Sequence, residues 1–103
     1  MAKRIVLTPR SQAQRLRILD FWFKHTGDKI YSKNLDDGLK RTFQLLSEYP
    51  AIGRIIPEYQ TRSFSEQPVR CFIYRDYQIM YQMMDDITLI LQVWDTRQNP
   101  ETK

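Results

Sequence analysis

The sequence predicts an α+β fold in which an N-terminal strand and an antiparallel pair of helices precede a three-stranded antiparallel meander. Two observations carry this prediction. Between residues 11 and 50, apolar residues recur every three or four positions, the period of a helix that buries one face. From residue 69 onward they alternate, which is the period of a strand. We therefore expect the helices to cover one face of the sheet and to leave its other face, or its rim, available for function.

Length and composition restrict the class of protein. A chain of 103 residues with 42% apolar and 13% aromatic residues is predicted to form a single globular domain over residues 1–103. Its longest apolar stretch is well short of the ~20 residues that span a bilayer, and the apolar run after the basic start is too short for an export signal. The single cysteine cannot form an internal disulfide. We expect a cytoplasmic protein without membrane contact.

The positive charge is unevenly distributed along the chain. From residue 1 to 41 there are ten Lys and Arg against four Asp and Glu, whereas from residue 42 to 103 there are six against eight. The excess of positive charge therefore belongs to the helices. It is either a solvated helix surface or a patch for nucleic acid or an acidic polypeptide.

The first strand and helix are predicted from short local signals. Arg4 to Thr8 is a β-prone run closed by Pro9. Ser11 is the expected N-cap of the helix, with Gln14 as its capping-box partner, and Gly27 is the expected stop. The predicted buried face of this helix is made of Ala13, Leu16, Leu19, Trp22 and Phe23.

The second helix is predicted to begin near Ser32, its expected N-cap, and to run to Pro50. Its predicted apolar stripe is Leu35, Leu39, Thr42 or Phe43, Leu46 and Tyr49. Gly38 costs a helix about 1 kcal/mol relative to alanine, so we expect it to mark a close approach to the first helix.

A long loop follows from Pro50 to Pro68, with a short strand predicted near Arg62 to Phe64. The loop has nearly twenty residues, and loops of this length inside a compact domain are often functional.

Three strands close the chain, at Val69 to Arg75, Tyr77 to Met83 and Ile87 to Trp94. The second and third are separated by a tight turn at residues 85 and 86. The last strand is nearly all apolar, which is typical of a central strand covered on both faces. Cys71 alternates with apolar neighbours, so we expect it to be a small buried core residue.

Four patterns, taken in order along the chain, resemble the RelE/ParE toxin superfamily of bacterial type II toxin–antitoxin systems. They are Thr8-Pro9-Arg10-Ser11, Leu46 through Pro50 to Gly53-Arg54, Val69-Arg70 followed by Tyr77 to Tyr81, and Ile87 to Asp95 followed by Arg97 to Pro100. The resemblance implies a β-α-α-β-β-β fold and a plasmid-stabilisation type of toxin that a cognate antitoxin keeps silent. The antitoxin of such a system wraps an extended, partly helical tail around the toxin, so a toxin–antitoxin hetero-oligomer is the implied assembly.

The resemblance leaves two activities open. ParE-like members poison DNA gyrase and are not nucleases, whereas RelE-like members cut mRNA on the ribosome. In a nuclease, Arg70, Arg75 and Arg97 would bind phosphate, and Tyr81 or Asp95 would transfer a proton. However, no lysine lies between Arg41 and Lys103, and neither a histidine nor a tyrosine follows Tyr81. We therefore favour the ParE-like branch, with the nuclease and a nontoxic protein-binding adaptor as alternatives.

The expected contacts with a target or antitoxin are Arg54, Arg70, Tyr74, Trp94 and Arg97. Arg54 is either a target contact or a tie between the loop and the helices. Arg70 is either a contact on the sheet face or half of a structural ion pair. No cofactor is expected, and the only histidine, His25, lies near a helix end and has no second cysteine or histidine to form a metal site.

Overall fold

The structure, a computed structural model, describes residues 2–27, 29–57 and 67–97. In these residues two helices cover one face of a five-stranded sheet. The elements are β1 (Arg4–Leu7), α1 (Pro9–Thr26), α2 (Lys29–Glu48), a 3-10 turn (Pro50–Ile52), β2 (Arg54–Ile55), β3 (Val69–Tyr74), β4 (Tyr77–Met84) and β5 (Ile87–Asp95). In the ranges that the structure describes, neither helix has the length and apolar character needed to cross a membrane.

The strands lie in the order β1-β5-β4-β3-β2. The predicted meander is confirmed, because β3, β4 and β5 pair as antiparallel neighbours. The N-terminal strand is confirmed at one edge, where β1 pairs in parallel with β5 and Ile5 lies opposite Thr88. A parallel pair needs a crossover, and the helical hairpin supplies it. The short β2 forms the other edge, with Arg54 opposite Cys71.

The main core lies between α2 and the sheet. The predicted stripe of α2 is confirmed from Leu35 to Leu46, but Tyr49 falls beyond the end of the helix and is exposed. Three of its side chains meet four from β4 and β5: Leu39, Phe43 and Leu46 pack with Ile79, Tyr81, Ile90 and Val93. Such burial contributes roughly 1.5–3 kcal/mol for each large apolar side chain. This core holds the helical hairpin on the sheet.

The face of the sheet away from the helices is only partly covered. Because side chains alternate along a strand, Val69 and Cys71 point away from the helices, where they pack with Ile56 and Met80. Cys71 is buried and unpaired, as predicted. At the other end of β3, Ile73 is exposed. The expectation of an accessible face therefore holds for the end of the sheet near the β3–β4 turn.

A one-residue bulge interrupts β5. Tyr81 pairs with Ile90 and Met80 pairs with Gln92, so Leu91 has no partner of its own on β4. The extra residue resets the alternation of β5. As a result Ile90 and Val93, three positions apart, both face the core.

The predicted buried face of α1 is wrong at three of its five residues, whereas Leu19 and Trp22 are half-buried. Leu16 is 51% exposed, Ala13 and Phe23 are also exposed, and Ser11 is the one fully buried residue among the described side chains of α1. The physical reason is position, because α1 lies beside β5 whereas α2 packs on both β4 and β5. A helix at the side of a sheet keeps most of its surface in solvent.

Both predicted helix starts are also corrected. The N-cap of α1 is Thr8, whose hydroxyl accepts the Ser11 backbone N–H at 3.1 Å, with Pro9 in the first turn. The helix α2 begins at Lys29, and the Ser32 hydroxyl instead donates to the Leu19 carbonyl at 3.0 Å. Ser11 and Ser32 therefore connect elements and do not cap helices.

The end of α1 is as predicted. Gly27 adopts the left-handed conformation with φ of 67°, and its N–H donates to the Phe23 carbonyl. Glycine has no Cβ to oppose this conformation.

The long loop begins with the 3-10 turn and β2. The strand predicted near Arg62 to Phe64 lies outside the described residues.

Gly38 marks a close approach, but to β3 and not to the first helix. A Cβ at Gly38 would lie 1.7 Å from the Tyr74 hydroxyl oxygen and 2.5 Å from the ring carbon that carries it. That hydroxyl is buried and has no hydrogen-bond partner among the described residues. The tyrosine ring thus occupies the space that any other residue at position 38 would need.

We predict that Gly38→Ala lowers the free energy of unfolding by about 1–3 kcal/mol, because the methyl group overpacks against Tyr74. In a Tyr74→Ala background the same change should stabilise the protein by up to about 1 kcal/mol, since alanine then shows its helix propensity. Urea denaturation of the four proteins in this cycle measures both values. A Gly38→Ala effect of equal size in both backgrounds would contradict the contact.

Candidate protein-binding cleft

A cleft of about 390 Å³ lies between α1 and the last part of β5. It arises because the edge strand β1 is shorter than its neighbour β5. The strand β1 stops at Leu7, opposite Ile90, whereas β5 continues to Asp95. Past Leu7 the chain turns into α1, which replaces β1 as the neighbour of β5. The cleft is lined by Gln14, Arg17, Ile18, Phe21, Trp22, His25, Val93, Trp94, Asp95 and Arg97.

Three rings on one turn of α1 form a wall of this cleft. His25 stacks on Phe21 with ring centroids 5.2 Å apart, and Trp22 meets Phe21 edge-on at 5.3 Å. The indole N–H of Trp22 donates to the Tyr77 hydroxyl at 2.7 Å, which fixes α1 to the start of β4. Phe21 remains 53% exposed. The hydrogen bond therefore holds the Trp22 ring in this wall, whereas the Phe21 ring is accessible to solvent.

The opposite wall is held by Arg97. Its guanidinium donates two hydrogen bonds to Asp95, both of 3.1 Å, lies 3.9 Å from Asp76 and sits over the Trp22 ring at 5.1 Å. The hydrogen-bonded Asp95 carboxylate raises the pKa of Arg97, a side chain that is cationic at physiological pH in any case. These contacts join the end of β5 to α1 and to the β3–β4 turn.

The strand edge at the floor of the cleft is capped by side chains of α1. The backbone N–H of Val93 donates to the Gln14 side-chain oxygen at 2.9 Å, and the Ser11 hydroxyl donates to the Ile90 carbonyl at 2.8 Å. Gln14, predicted to serve a capping box, thus satisfies a donor that β1 is too short to reach.

A second group of predicted residues surrounds the 3-10 turn. The Tyr81 hydroxyl donates to the Pro50 carbonyl at 2.7 Å and accepts the Gly53 N–H at 2.8 Å. Arg70, opposite Tyr81 on β3, donates to the Gly53 carbonyl at 2.9 Å and to the Ala51 carbonyl at 3.2 Å. Tyr81 has no exposed surface, and burial raises its pKa. One of the two proton-transfer candidates, Tyr81, and one phosphate-binding candidate, Arg70, therefore hold the start of the long loop.

The other predicted residues lie elsewhere. Trp94, Asp95 and Arg97 line the cleft, while Arg54 is exposed on the edge strand β2. Arg75 occupies the β3–β4 turn with φ of 54°, its guanidinium 5.4 Å from the centre of the Tyr74 ring.

Four of the five nuclease candidates form two separate pairs, and Arg75 belongs to neither. Asp95 lies opposite Tyr77, whereas Arg70 lies opposite Tyr81, four residues along β4. That is a separation of about 13 Å at 3.3 Å per residue. The structure brings Asp95 and Arg97 together and separately brings Arg70 and Tyr81 together, but it does not unite the two pairs.

Several cleft residues were not predicted as functional. The sequence analysis assigned no role to Phe21 or Arg17, and it predicted Trp22 to be part of a buried helix face. The sequence does contain a signal for them. Phe21, Trp22 and Phe23 are consecutive, and consecutive aromatic residues cannot all face one side of a helix. Among the described residues, no group of three His, Cys, Asp or Glu side chains is placed to hold a metal ion.

We predict that Tyr81→Phe lowers the free energy of unfolding by about 1–3 kcal/mol, since it leaves the buried Gly53 N–H without its acceptor. Tyr49→Phe is the matched control, because Tyr49 is 62% exposed. Thermal unfolding followed by circular dichroism compares the two. Equal stability of both variants would show that the Tyr81 hydroxyl does not hold the turn.

A pH dependence follows from the two buried phenols. Burial raises the pKa of Tyr77 and of Tyr81 above the ordinary value near 10. Well below pH 10 the phenols are neutral in both the folded and the unfolded chain. As the pH rises further the unfolded chain loses these protons first, so the free energy of unfolding should fall. Tyr81→Phe should make this fall less steep in urea denaturation from pH 8 to 11, and an unchanged slope would contradict the assignment.

Comparison with known proteins places the chain in a family. Residues 5–100 match the model of the ParE toxin of the type II toxin–antitoxin system parDE. A search of curated proteins gave no match. Among solved structures, the chain is similar to a chain of the chromosomal ParDE toxin–antitoxin system from P. aeruginosa, with a TM-score of 0.67, 15% identity, and coverage of 89% of this chain and 94% of that one. At this identity the structural likeness shows the fold alone. The family match covers nearly the whole sequence, and the chain therefore belongs to the ParE toxin family of type II toxin–antitoxin systems.

Proposed function

We propose that this chain inhibits growth by binding a cellular protein such as DNA gyrase, and that a cognate antitoxin neutralises it in a toxin–antitoxin complex. The observation that carries the proposal is the surface of the helical hairpin near the α1–α2 connection. There Phe23 and Ile30 are exposed next to Lys24, Lys29 and Lys33. Exposed apolar side chains rimmed by polar or charged residues are typical of a protein-binding surface. Gyrase is the target that the resemblance to ParE-like proteins implies.

The chemistry of the sheet supports binding over catalysis. A general base must have a free position to accept a proton, but the Tyr81 hydroxyl is buried and already shared between two backbone groups. Arg70 is engaged with two carbonyls of the same turn. Asp95 is held by Arg97. In a ribosome-dependent nuclease, these side chains would have to give up their structural hydrogen bonds or ion pair before they could act on RNA.

Induced expression in a bacterial host tests the proposal directly. We expect growth arrest, inhibition of supercoiling when the purified protein is added to gyrase, and intact mRNA on translating ribosomes. Cleavage of mRNA on those ribosomes without an effect on gyrase would favour the endonuclease. Unchanged growth at full expression of folded protein would favour the nontoxic adaptor.

Variants separate the two toxic activities further. If the chain binds a protein, Arg70→Ala should retain toxicity in proportion to the amount of folded protein, whereas Phe23→Ser with Ile30→Ser should reduce toxicity at equal abundance. Growth curves with immunoblots measure both. Loss of toxicity in stable, folded Arg70→Ala protein would instead make Arg70 catalytic.

The antitoxin should be encoded next to this gene. We expect a short reading frame with an acidic product that overlaps or abuts it, because the helical half of the toxin is basic. Co-expression of that product should restore growth and co-purify with the toxin. A neighbouring product that neither binds the toxin nor restores growth would contradict the pairing.

A further inference from the structure

We infer that the groove between α1 and α2 receives an acidic amphipathic helix of the cellular target protein. The inference rests on the proposed function, because it names the kind of segment by which the helical hairpin would bind that target. The groove is more open to solvent than the cleft beside β5. It is lined by Leu19, Phe23, Lys29, Ser32, Lys33 and Asp36.

The helix α1 separates this groove from the cleft. Because successive residues of a helix are about 100° apart, Leu19 and Phe23 lie on one side of α1, and Phe21 and His25 lie on nearly the opposite side. The two recesses have no lining residue in common. A partner in the groove therefore leaves the cleft accessible.

One wall of the groove is apolar and comes from α1. Leu16 shares a face of this helix with Leu19 and Phe23, because positions three and seven residues apart align. Leu16 is 51% exposed and Phe23 is 39% exposed. The three side chains form a ridge about 10 Å long at 1.5 Å per residue. The Lys29 ammonium lies 5.9 Å from the centre of the Phe23 ring, so the charged wall begins where this ridge ends.

The other wall is basic and comes from α2. Lys29 and Lys33 are exposed, and within the described residues neither forms an ion pair. The carboxylate that lines the groove, Asp36, is already paired with Arg15 at 2.8 Å and with Lys40 at 3.5 Å. Lys29 also begins α2, at the end where the helix dipole disfavours a cation, so helix stability does not explain it. The partner charge that complements this wall is negative.

Two contacts between the helices hold the groove in shape. The Ser32 hydroxyl donates to the Leu19 carbonyl at 3.0 Å. The Arg15 side chain donates to Asp36 at 3.0 Å, and both side chains are mostly shielded from water. The groove is therefore preformed, and a partner does not have to order it on binding.

The two walls determine the kind of segment that fits. Both are helices whose backbone groups are bonded internally, so the groove presents side chains and no strand edge. A third helix packs its own ridge into such a groove at the same three- and four-residue spacing. Its apolar stripe would cover the ridge from Leu16 to Phe23, and its acidic flank would meet Lys29 and Lys33. One amphipathic helix thus complements both walls.

A synthetic helix provides the probe. It is a fluorescein-labelled peptide of about 18 residues, long enough to form a helix, with a leucine stripe, glutamates along one flank and alanine elsewhere. Fluorescence anisotropy measures its binding to the full chain made by cell-free synthesis, and we expect saturation. Replacing every glutamate by lysine, or reordering the same residues so that no leucine stripe forms, should weaken binding at least about tenfold.

Charge reversal tests the basic wall. Lys33→Glu should weaken peptide binding about fivefold or more. Arg41→Glu is the matched control, because Arg41 is an exposed cation of α2 that does not line the groove. It lies about 12 Å further along the helix, beyond the screening length of physiological salt, and should change binding less than about twofold. Equal effects of the two reversals, or equal binding of the glutamate and lysine peptides, would overturn the inference.

A second pair of variants tests the apolar wall. Leu16 and Phe21 are 51% and 53% exposed, but Phe21 lines the cleft on the other side of α1. Leu16→Ser should weaken peptide binding about fivefold or more, and Phe21→Ser less than about twofold. Circular dichroism checks that both variants are folded. A larger effect of Phe21→Ser would move the contact to the cleft and refute the groove.

Growth assays connect the groove to the target and separate this inference from the proposed function. Lys33→Glu should reduce growth arrest at equal abundance of folded protein. A chain whose growth arrest is unchanged by Lys33→Glu and Leu16→Ser remains a toxin and loses the groove as its target site. A chain that binds the peptide through Lys33 but never arrests growth keeps the docking site and loses the proposed activity. Displacement of the peptide by the antitoxin, with growth arrest unchanged by Lys33→Glu, would assign the groove to the antitoxin and overturn the inference.

Discussion

Much of the structure depends on the two hydrogen bonds of the Tyr81 hydroxyl. Its ring is part of the core under α2, and its oxygen binds both sides of the turn that leads out of α2. A Cβ at Gly53 would lie 2.6 Å from that oxygen, so the turn can approach only because residue 53 is glycine. Arg70 then fastens the same turn from β3. One phenol thereby aligns the helix, the loop and the sheet, which explains why a residue suited to acid–base chemistry is fully enclosed.

The cleft has a different origin, in the mismatch between a four-residue β1 and a nine-residue β5. The mismatch leaves the end of β5 without a strand neighbour on one side among the described residues. α1 fills that side incompletely. Its few polar contacts with β5, through Ser11 and Gln14, hold it in place while its aromatic side chains stay accessible. A helix that packed as deeply as α2 would have closed the cleft.

The sequence predicted the elements well because their signals are local. The alternation around Ile79 and Tyr81 and the stripe from Leu35 to Leu46 identify buried faces whatever the tertiary structure. The burial of α1 could not be predicted in this way, since its apolar residues resemble a core stripe and only the position of β5 shows that Leu16 is exposed. The partner of Gly38 was likewise hidden, because Tyr74 is distant in sequence. For the site, Trp94, Asp95 and Arg97 were found by resemblance, whereas Phe21 and Trp22 become part of it only once α1 is beside β5.

The bulge at Leu91 has a consequence for how sequences of this family can vary. Beyond it, every side chain of β5 is on the face opposite to the one that simple alternation from Ile90 would give. Deleting Leu91 would remove the bulge, and simple alternation from Ile90 would then keep Val93 on the core face and Gln92 on the other. At the bulge, β5 can therefore lose one residue and still keep the core and the cleft in register. An inserted residue that no second bulge accommodates would instead turn every later side chain of the strand to the opposite face.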